Sequence, residues 1–100
     1  MDIIHLDENR IQLVVNTIVH YADDYFFGEL IKKDTRESGF YHFFETQYNE
    51  LMQWLWEDNQ LNTAETEYLL AEEAHSLKER IIETAADQLH AFLIKKGWLN

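Results

Sequence analysis

Apolar residues recur at helical spacing from residue 11 onward. They lie three or four positions apart, which predicts an amphipathic helix that begins near Asp7 and ends near Phe27 or, if Gly28 is tolerated, near Lys33. The Asp7 side chain can accept hydrogen bonds from the first amides of this helix. Five valines and isoleucines between residues 11 and 19 leave a strand as an alternative, but the 3–4 spacing favours a helix. The apolar stripe comprises Ile11, Val14, Val15, Ile18, Val19, Ala22 and Phe26.

A polar, turn-like stretch over residues 32–39 follows and is the best candidate for a loop. After it, the pattern predicts a second helix from about Phe40 to Asp58, with Ser38 as its cap. Residues 59–62 are then expected to form a short connection.

The third predicted helix is much longer than the others and runs unbroken from Thr63 to Lys96. At 1.5 Å per residue it would span about 50 Å. Asn62 and Glu65 fit a capping box at its start, and Gly97 fits a left-handed cap at its end. An alternative is a break near residues 75–76.

The composition favours helices throughout the chain. Proline is absent and glycine occurs three times, so the strongest helix breakers are nearly missing. Short connections between helices imply antiparallel neighbours. We therefore expect residues 1–100 to form a single all-α domain, an antiparallel three-helix bundle with a long C-terminal helix.

Two features of this predicted bundle suggest a second interface. The apolar residues of the second helix cover an arc of about 220°, on which Trp54 and Trp56 lie about 160° apart, whereas a core-facing helix needs little more than 100°. The third helix also exceeds the second by roughly 22 Å. Both features predict a dimer or another protein complex. The alternatives are a second helix that lies centrally and a third helix that is broken.

The charge balance limits the classes of partner. The chain has 19 acidic against 8 basic residues and a net charge of -11, so its field repels nucleic acid and anionic membranes. Cysteine is absent, which excludes disulfides and thiolate metal sites. No signal-peptide pattern opens the chain, and no apolar run approaches the roughly 18 residues of a membrane span. We expect a cytoplasmic protein without a cofactor.

Histidines near carboxylates raise the question of a metal site. Glu72 and His75 repeat the Glu-x-x-His spacing of di-iron bundles, and Asp87 with His90 is a looser version. In so acidic a chain, about half of all histidines have such a neighbour by chance. The first two helices also lack a Glu within their apolar stripes. The sequence therefore predicts no metal ligands.

Enzymatic motifs are equally weak. Arg36 and His42 fit the Arg–His spacing of a class of helical ribonucleases, in which the arginine steadies a phosphate and the histidine moves a proton. This likeness covers two residues, and Gly39 lies between them. No nucleophile elbow or glycine-rich phosphate loop is present. We predict no catalytic residues.

The distribution of acidic residues is more informative. Between Glu37 and Leu77 there are nine acidic residues and no lysine or arginine. On an unbroken third helix, five carboxylates would share one face at steps of about 10 and 6 Å, comparable to nucleic-acid phosphates. A solvated helix face is the alternative interpretation. The predicted partner-binding residues are Trp54, Trp56, Glu65, Glu72, Glu79, Glu83 and Asp87.

These observations predict a small acidic binding protein that docks on a basic-surfaced protein and inhibits or regulates it. Immunity proteins against nuclease toxins, inhibitors of restriction or CRISPR enzymes, and DNA mimics have this physical profile. The alternative is a homodimeric structural or regulatory bundle without an inhibitory role. A helical ribonuclease or a carboxylate–histidine metal protein ranks third.

Overall fold

The computed structural model describes residues 6–23 and 37–95, and every regular element in these two stretches is a helix. Helix α1 spans Glu8–Tyr21, α2 spans Glu37–Glu57 and α3 spans Thr63–Leu70. A 3₁₀ turn over Glu72–Ala74 leads into α4, His75–Lys95. The all-α class is therefore confirmed. The described stretches contain four α-helices, whereas the sequence predicted three.

The predicted start of α1 is confirmed. Asp7 is its N-cap, and the Asp7 carboxylate accepts a hydrogen bond from the amide of Arg10 at 2.8 Å. The predicted apolar stripe is buried as far as Ala22. The predicted end of this helix, near residue 27 or 33, lies outside the described residues.

Helix α2 begins three residues earlier than predicted, at Glu37. Ser38 therefore lies inside the helix, and its prediction as the cap is wrong. The C-terminal end is as expected, because the helix ends at Glu57 and a short turn follows. Asn59 takes a positive φ of 60° in this turn, a conformation that asparagine tolerates better than most residues.

The prediction of one unbroken third helix is wrong. Its start is confirmed, because Asn62 and Glu65 form the capping box of α3. The helix then stops at Leu70, and Ala71 is extended, with ψ at 148°. The chain becomes helical again through the 3₁₀ turn and continues as α4. The predicted cap at Gly97 lies outside the described residues.

Contacts with α2 explain why the chain breaks there. The buried Tyr48 hydroxyl donates a hydrogen bond to the carbonyl of Leu69 at 3.0 Å, which takes the place of a helical amide donor. On the other side of the break, the ammonium of Lys78 lies 5.1 Å from the centre of the Tyr48 ring. In a continuous helix Leu69 and Lys78 would be about 14 Å apart along the axis. The break allows both to meet one side chain.

Helices α2 and α4 run in opposite directions. The Phe40 ring, near the start of α2, lies 6.0 Å from the ring of His90 near the end of α4, whereas Tyr48 meets Lys78 near the start of α4. Helix α1 runs in the same direction as α4, because Glu8 pairs with Arg80 and Gln12 hydrogen-bonds Gln88. The core lies between these helices and α3; its largest fully buried side chains are Tyr48, Phe40, Phe44, Ile18, Leu51, Met52, Leu55, Leu69, Ile81, Ile82, Leu89 and Leu93.

This packing accounts for both features that suggested a second interface. Helix α2 lies centrally, and most of its wide apolar arc is buried or half-buried within the chain. Once the third segment is broken, α2 and α4 each have 21 residues, so neither exceeds the other within the described part of the chain. Neither feature therefore provides separate support for a dimer, which stays a prediction.

Candidate functional site

Three carboxylates from two helices lie near enough to the half-buried Tyr41 to act on its hydroxyl electrostatically. Glu45 follows Tyr41 by one turn on α2, and Glu79 and Glu83 come from the antiparallel α4. Burial raises the pKa of the Tyr41 hydroxyl, and the negative charges of Glu45, Glu79 and Glu83 raise it further. We refer to these four residues as the acidic cluster. Their carboxylates are all exposed, so a partner can reach them.

Among the described residues, the two basic side chains nearest in sequence to Glu79 and Glu83 do not pair with the acidic cluster. Arg80 turns away from it and pairs with Glu8 of α1, an interaction that lowers the pKa of Glu8. The ammonium of Lys78 lies over the Tyr48 ring instead of pairing with a described carboxylate.

Two histidines provide the ion-pair partners of the acidic cluster among the described residues. His75 Nε2 lies 3.1 Å from Glu79 Oε1, and His42 Nδ1 lies 3.9 Å from Glu45 Oε1. Both histidines and both carboxylates are exposed to solvent. Exposed pairs of this kind contribute little to stability. The carboxylates therefore remain available to a stronger cationic partner.

A groove opens beside the acidic cluster, where α3 gives way to α4. It has a volume of about 410 Å³ and lies against the middle of α2. Leu70 is the most exposed apolar side chain of this groove, with 41% of its surface accessible. We refer to this feature as the junction groove; it is lined by Tyr48, Asn49, Leu69, Leu70, Ala71, Glu72, His75 and Lys78.

The two predicted tryptophans have different environments. Trp54 is half-buried against the core, and its ring meets Tyr21 edge-on at 5.8 Å. Trp56 is 42% exposed, and its indole N–H donates a hydrogen bond to Thr63 Oγ1 at 3.1 Å. This bond holds the ring at the surface in a fixed orientation. Trp56 therefore remains a candidate for partner binding, whereas Trp54 belongs to the packing between α1 and α2.

Glu65 does not lie on the predicted exposed face. Its carboxylate accepts hydrogen bonds from Arg10 Nε at 3.1 Å and from Arg10 Nη2 at 2.8 Å. It also accepts one from the amide of Asn62 at 3.0 Å, and only 13% of the side chain is accessible. Burial opposes ionisation, but the bonds from Arg10 and Asn62 and the Arg10 charge outweigh it, so the pKa of Glu65 is lowered. Glu65 therefore links α3 to α1 through Arg10, and its role in partner binding stays a prediction.

The predicted row of five carboxylates is not continuous, because the break at Ala71 separates its members. Glu72 lies in the junction groove, on the 3₁₀ turn. Glu79, Glu83 and Asp87 still share a face of α4, at steps of about 6 Å along the helix. All three are exposed. The acidic surface is therefore formed by two helices and not by one long one.

In the described residues, the histidines of the two metal-like motifs contact other side chains. His75 pairs with Glu79 and not with Glu72, and His90 packs against Phe40. Within residues 6–23 and 37–95, no group of three or more potential ligands is arranged to hold a metal ion. Arg36, the first member of the ribonuclease-like pair, lies outside the described residues.

Sequence reasoning missed Tyr41, Glu45, Asn49 and Leu70. On a helical wheel the first three lie with Trp56 within about 80° of one another, so their common stripe on α2 could have been found from spacing. The approach of Glu79 and Glu83 to this stripe could not have been found in this way, because it depends on which helices pack together. Leu70 was missed because the third helix was predicted to be unbroken, and an unbroken helix has no groove at this position.

Comparison with known proteins adds no assignment, because no protein-family model, curated protein or solved structure matches this chain. None of the described helices combines the length and apolar character needed to cross a membrane. Function is therefore inferred from the geometry and charge of the acidic cluster and the junction groove.

Proposed function

We propose that this protein is a small binding protein that docks on a basic surface of another protein and blocks it. The observation that carries the proposal is that Glu45, one turn from Tyr41 on α2, and Glu79 and Glu83 of the neighbouring α4 place three exposed carboxylates near one half-buried aromatic ring. Carboxylates accept charge-assisted hydrogen bonds from lysine and arginine, and an aromatic face attracts the same cations. An aromatic ring with carboxylates nearby suits recognition of a guanidinium or ammonium group.

The charge of the whole chain supports the same proposal. A net charge of -11 attracts a basic partner over a distance and speeds its association. The segment from Glu37 to Leu77 contains no lysine or arginine. In a partner whose cationic cleft normally binds nucleic acid, these carboxylates would occupy the positions of the phosphates. Nucleases, restriction or CRISPR enzymes and nuclease toxins are the partners that fit best.

The experiment begins with affinity capture from the native host, with the partner identified by mass spectrometry. Association of the purified partner is then measured by biolayer interferometry for wild type and for the double variant Glu79→Lys, Glu83→Lys. We expect the association rate to fall about ten-fold or more in the variant and to fall with rising salt in wild type, because exposed charges are screened over about 8–10 Å.

A matched control is available on the same molecule. Glu50 and Glu57 are exposed on α2, about 160–180° around the helix from Tyr41. The double variant Glu50→Lys, Glu57→Lys changes the net charge equally but leaves the acidic cluster intact. If both double variants lose binding equally, net charge alone explains the effect and the acidic cluster has no specific role. Capture of an acidic partner would contradict the proposal.

A further inference from the structure

An apolar strip continues the acidic cluster along α2. Trp56 and Leu70 are 42% and 41% exposed, and on the helical wheel of α2 Trp56 lies within about 60° of Tyr41 and Glu45. Leu70 lines the junction groove beside Asn49 of α2. Trp56 lies seven residues beyond Asn49, on the same stripe of the helix wheel. The exposed apolar side chains near this stripe therefore lie toward the C-terminal half of α2, and its carboxylates lie toward the N-terminal half.

The spacing of the two apolar side chains matches that of a helix. Leu70 lies beside Asn49 in the junction groove. Asn49 and Trp56 are about 10 Å apart along α2, which is two helical turns. A second helix that lies along α2 would present residues i and i+7 at this separation. From Asn49 toward the other end, Glu45 and Tyr41 follow at about 6 and 12 Å. The whole strip from Tyr41 to Trp56 is about 22 Å long.

We propose that the partner inserts an amphipathic helix of about four turns along this strip. This inference rests on the proposed function and specifies what the partner offers. Two apolar residues seven positions apart would pack against Leu70 and Trp56. Lysine or arginine residues in the next two turns would then reach Glu45, Glu79 and Glu83.

Charge complementarity argues against a second copy of this chain as the occupant. Two copies joined through this strip would bring Glu45, Glu79 and Glu83 of one close to acidic residues of the other. Like charges in an interface are costly, and the segment from Glu37 to Leu77 has no lysine or arginine to offset them. The strip therefore fits a basic helix of a different protein.

The probe for the test is a fluorescein-labelled, alanine-based helical peptide of roughly 20 residues. It carries two leucines seven positions apart and three arginines in the two turns that follow. Its control is a peptide of equal composition in which these residues are scattered around the helix. Binding to the full chain is measured by fluorescence anisotropy. We expect the patterned peptide to bind at least about five-fold more tightly than the scattered one.

Leu70→Ala and Trp56→Ala should each weaken binding of the patterned peptide about five-fold or more, as expected of anchors in an interface. Ile94→Ala is the matched control, because Ile94 is 44% exposed but lies near the end of α4, far from the groove. Urea denaturation of each variant checks that the fold is retained.

The outcomes separate the two proposals. Equal binding of both peptides, or unchanged binding by Leu70→Ala, overturns the helix-docking inference while electrostatic docking stands. Failure of the patterned peptide to bind, when a basic partner is still captured, also overturns it. If neither peptide binds and no basic partner is captured, the proposed function fails as well.

Discussion

The interaction between Arg10 and Glu65 decides whether Glu65 is a structural or a partner-binding residue. Arg10 makes two hydrogen bonds to the Glu65 carboxylate and a third, from Nη2, to the carbonyl of Gln60 at 2.8 Å. It thereby ties α1 to the turn after α2 and to the first turn of α3. Substituting Arg10 by Met removes these bonds and keeps much of the apolar stem.

The expected loss of stability follows from burial. Hydrogen bonds to charged groups are worth about 1.5–3 kcal/mol when well buried. Glu65 is mostly buried, but 37% of the Arg10 side chain is accessible, so water screens part of the interaction. We expect Arg10→Met to lower the free energy of unfolding by about 1–2 kcal/mol. For a chain of this size, each kcal/mol lowers the Tm by about 4–8 °C.

The pH dependence gives a second readout. The pKa of Glu65 is lowered in the folded state, so its ionisation stabilises the protein above the unfolded pKa, near the ordinary value of 4.5. That contribution is lost as the pH falls through the lower, folded pKa. Urea denaturation followed by circular dichroism should therefore show the full effect of Arg10→Met at pH 7 and a smaller effect below pH 4.5.

The controls separate structure from binding. Glu67 is exposed on the same helix, so Glu67→Gln should change stability by less than about 0.5 kcal/mol. A double-mutant cycle of Arg10→Met with Glu65→Gln should give a coupling of about 1 kcal/mol. If the coupling is zero and Glu65→Gln instead weakens partner binding, then Glu65 belongs to the docking surface and our structural assignment is wrong.

Four further measurements test the fold. Far-UV circular dichroism should show about two-thirds helix or more, and substantial sheet would contradict the described helices. Phe44→Ala should cost about 3–5 kcal/mol in urea denaturation, because the ring is fully buried; a loss below about 1 kcal/mol would exclude a core position. Tyr48→Phe removes the hydroxyl bond to Leu69 and should cost about 1 kcal/mol, with no loss if that bond is absent. Asn62→Ala should cost about 1 kcal/mol through the lost capping box, and an unchanged free energy of unfolding would contradict that cap.

Features that depend on neighbouring residues could be predicted from the sequence. The caps at Asp7 and Asn62 are confirmed because a capping side chain bonds amides within three positions of itself. The apolar stripe of α1 is confirmed because helical periodicity marks the buried face directly. Both signals are contained in a few consecutive residues, so no knowledge of tertiary packing was needed.

The break at Ala71 could not be predicted in this way. Its neighbours include neither glycine nor proline, and local propensity favours an uninterrupted helix. The break is stabilised by contacts with Tyr48, a residue more than 20 positions earlier in the chain. Only the packing of α3 and α4 against the same helix makes an extended residue favourable there.

The proposed docking surface depends on that same break. An unbroken helix would carry Glu65 and Glu79 on one face, about 21 Å apart, and would leave Leu70 without a groove. In the folded chain, α3 packs against the C-terminal half of α2, and Glu65 of α3 holds α1 through Arg10. Helix α4 begins near Tyr48, and its residues Glu79 and Glu83 lie near Tyr41. Carboxylates that are distant in sequence therefore lie near one aromatic ring. Because the junction groove lies where the two segments meet, the residue pattern that a partner would recognise exists only in the folded protein.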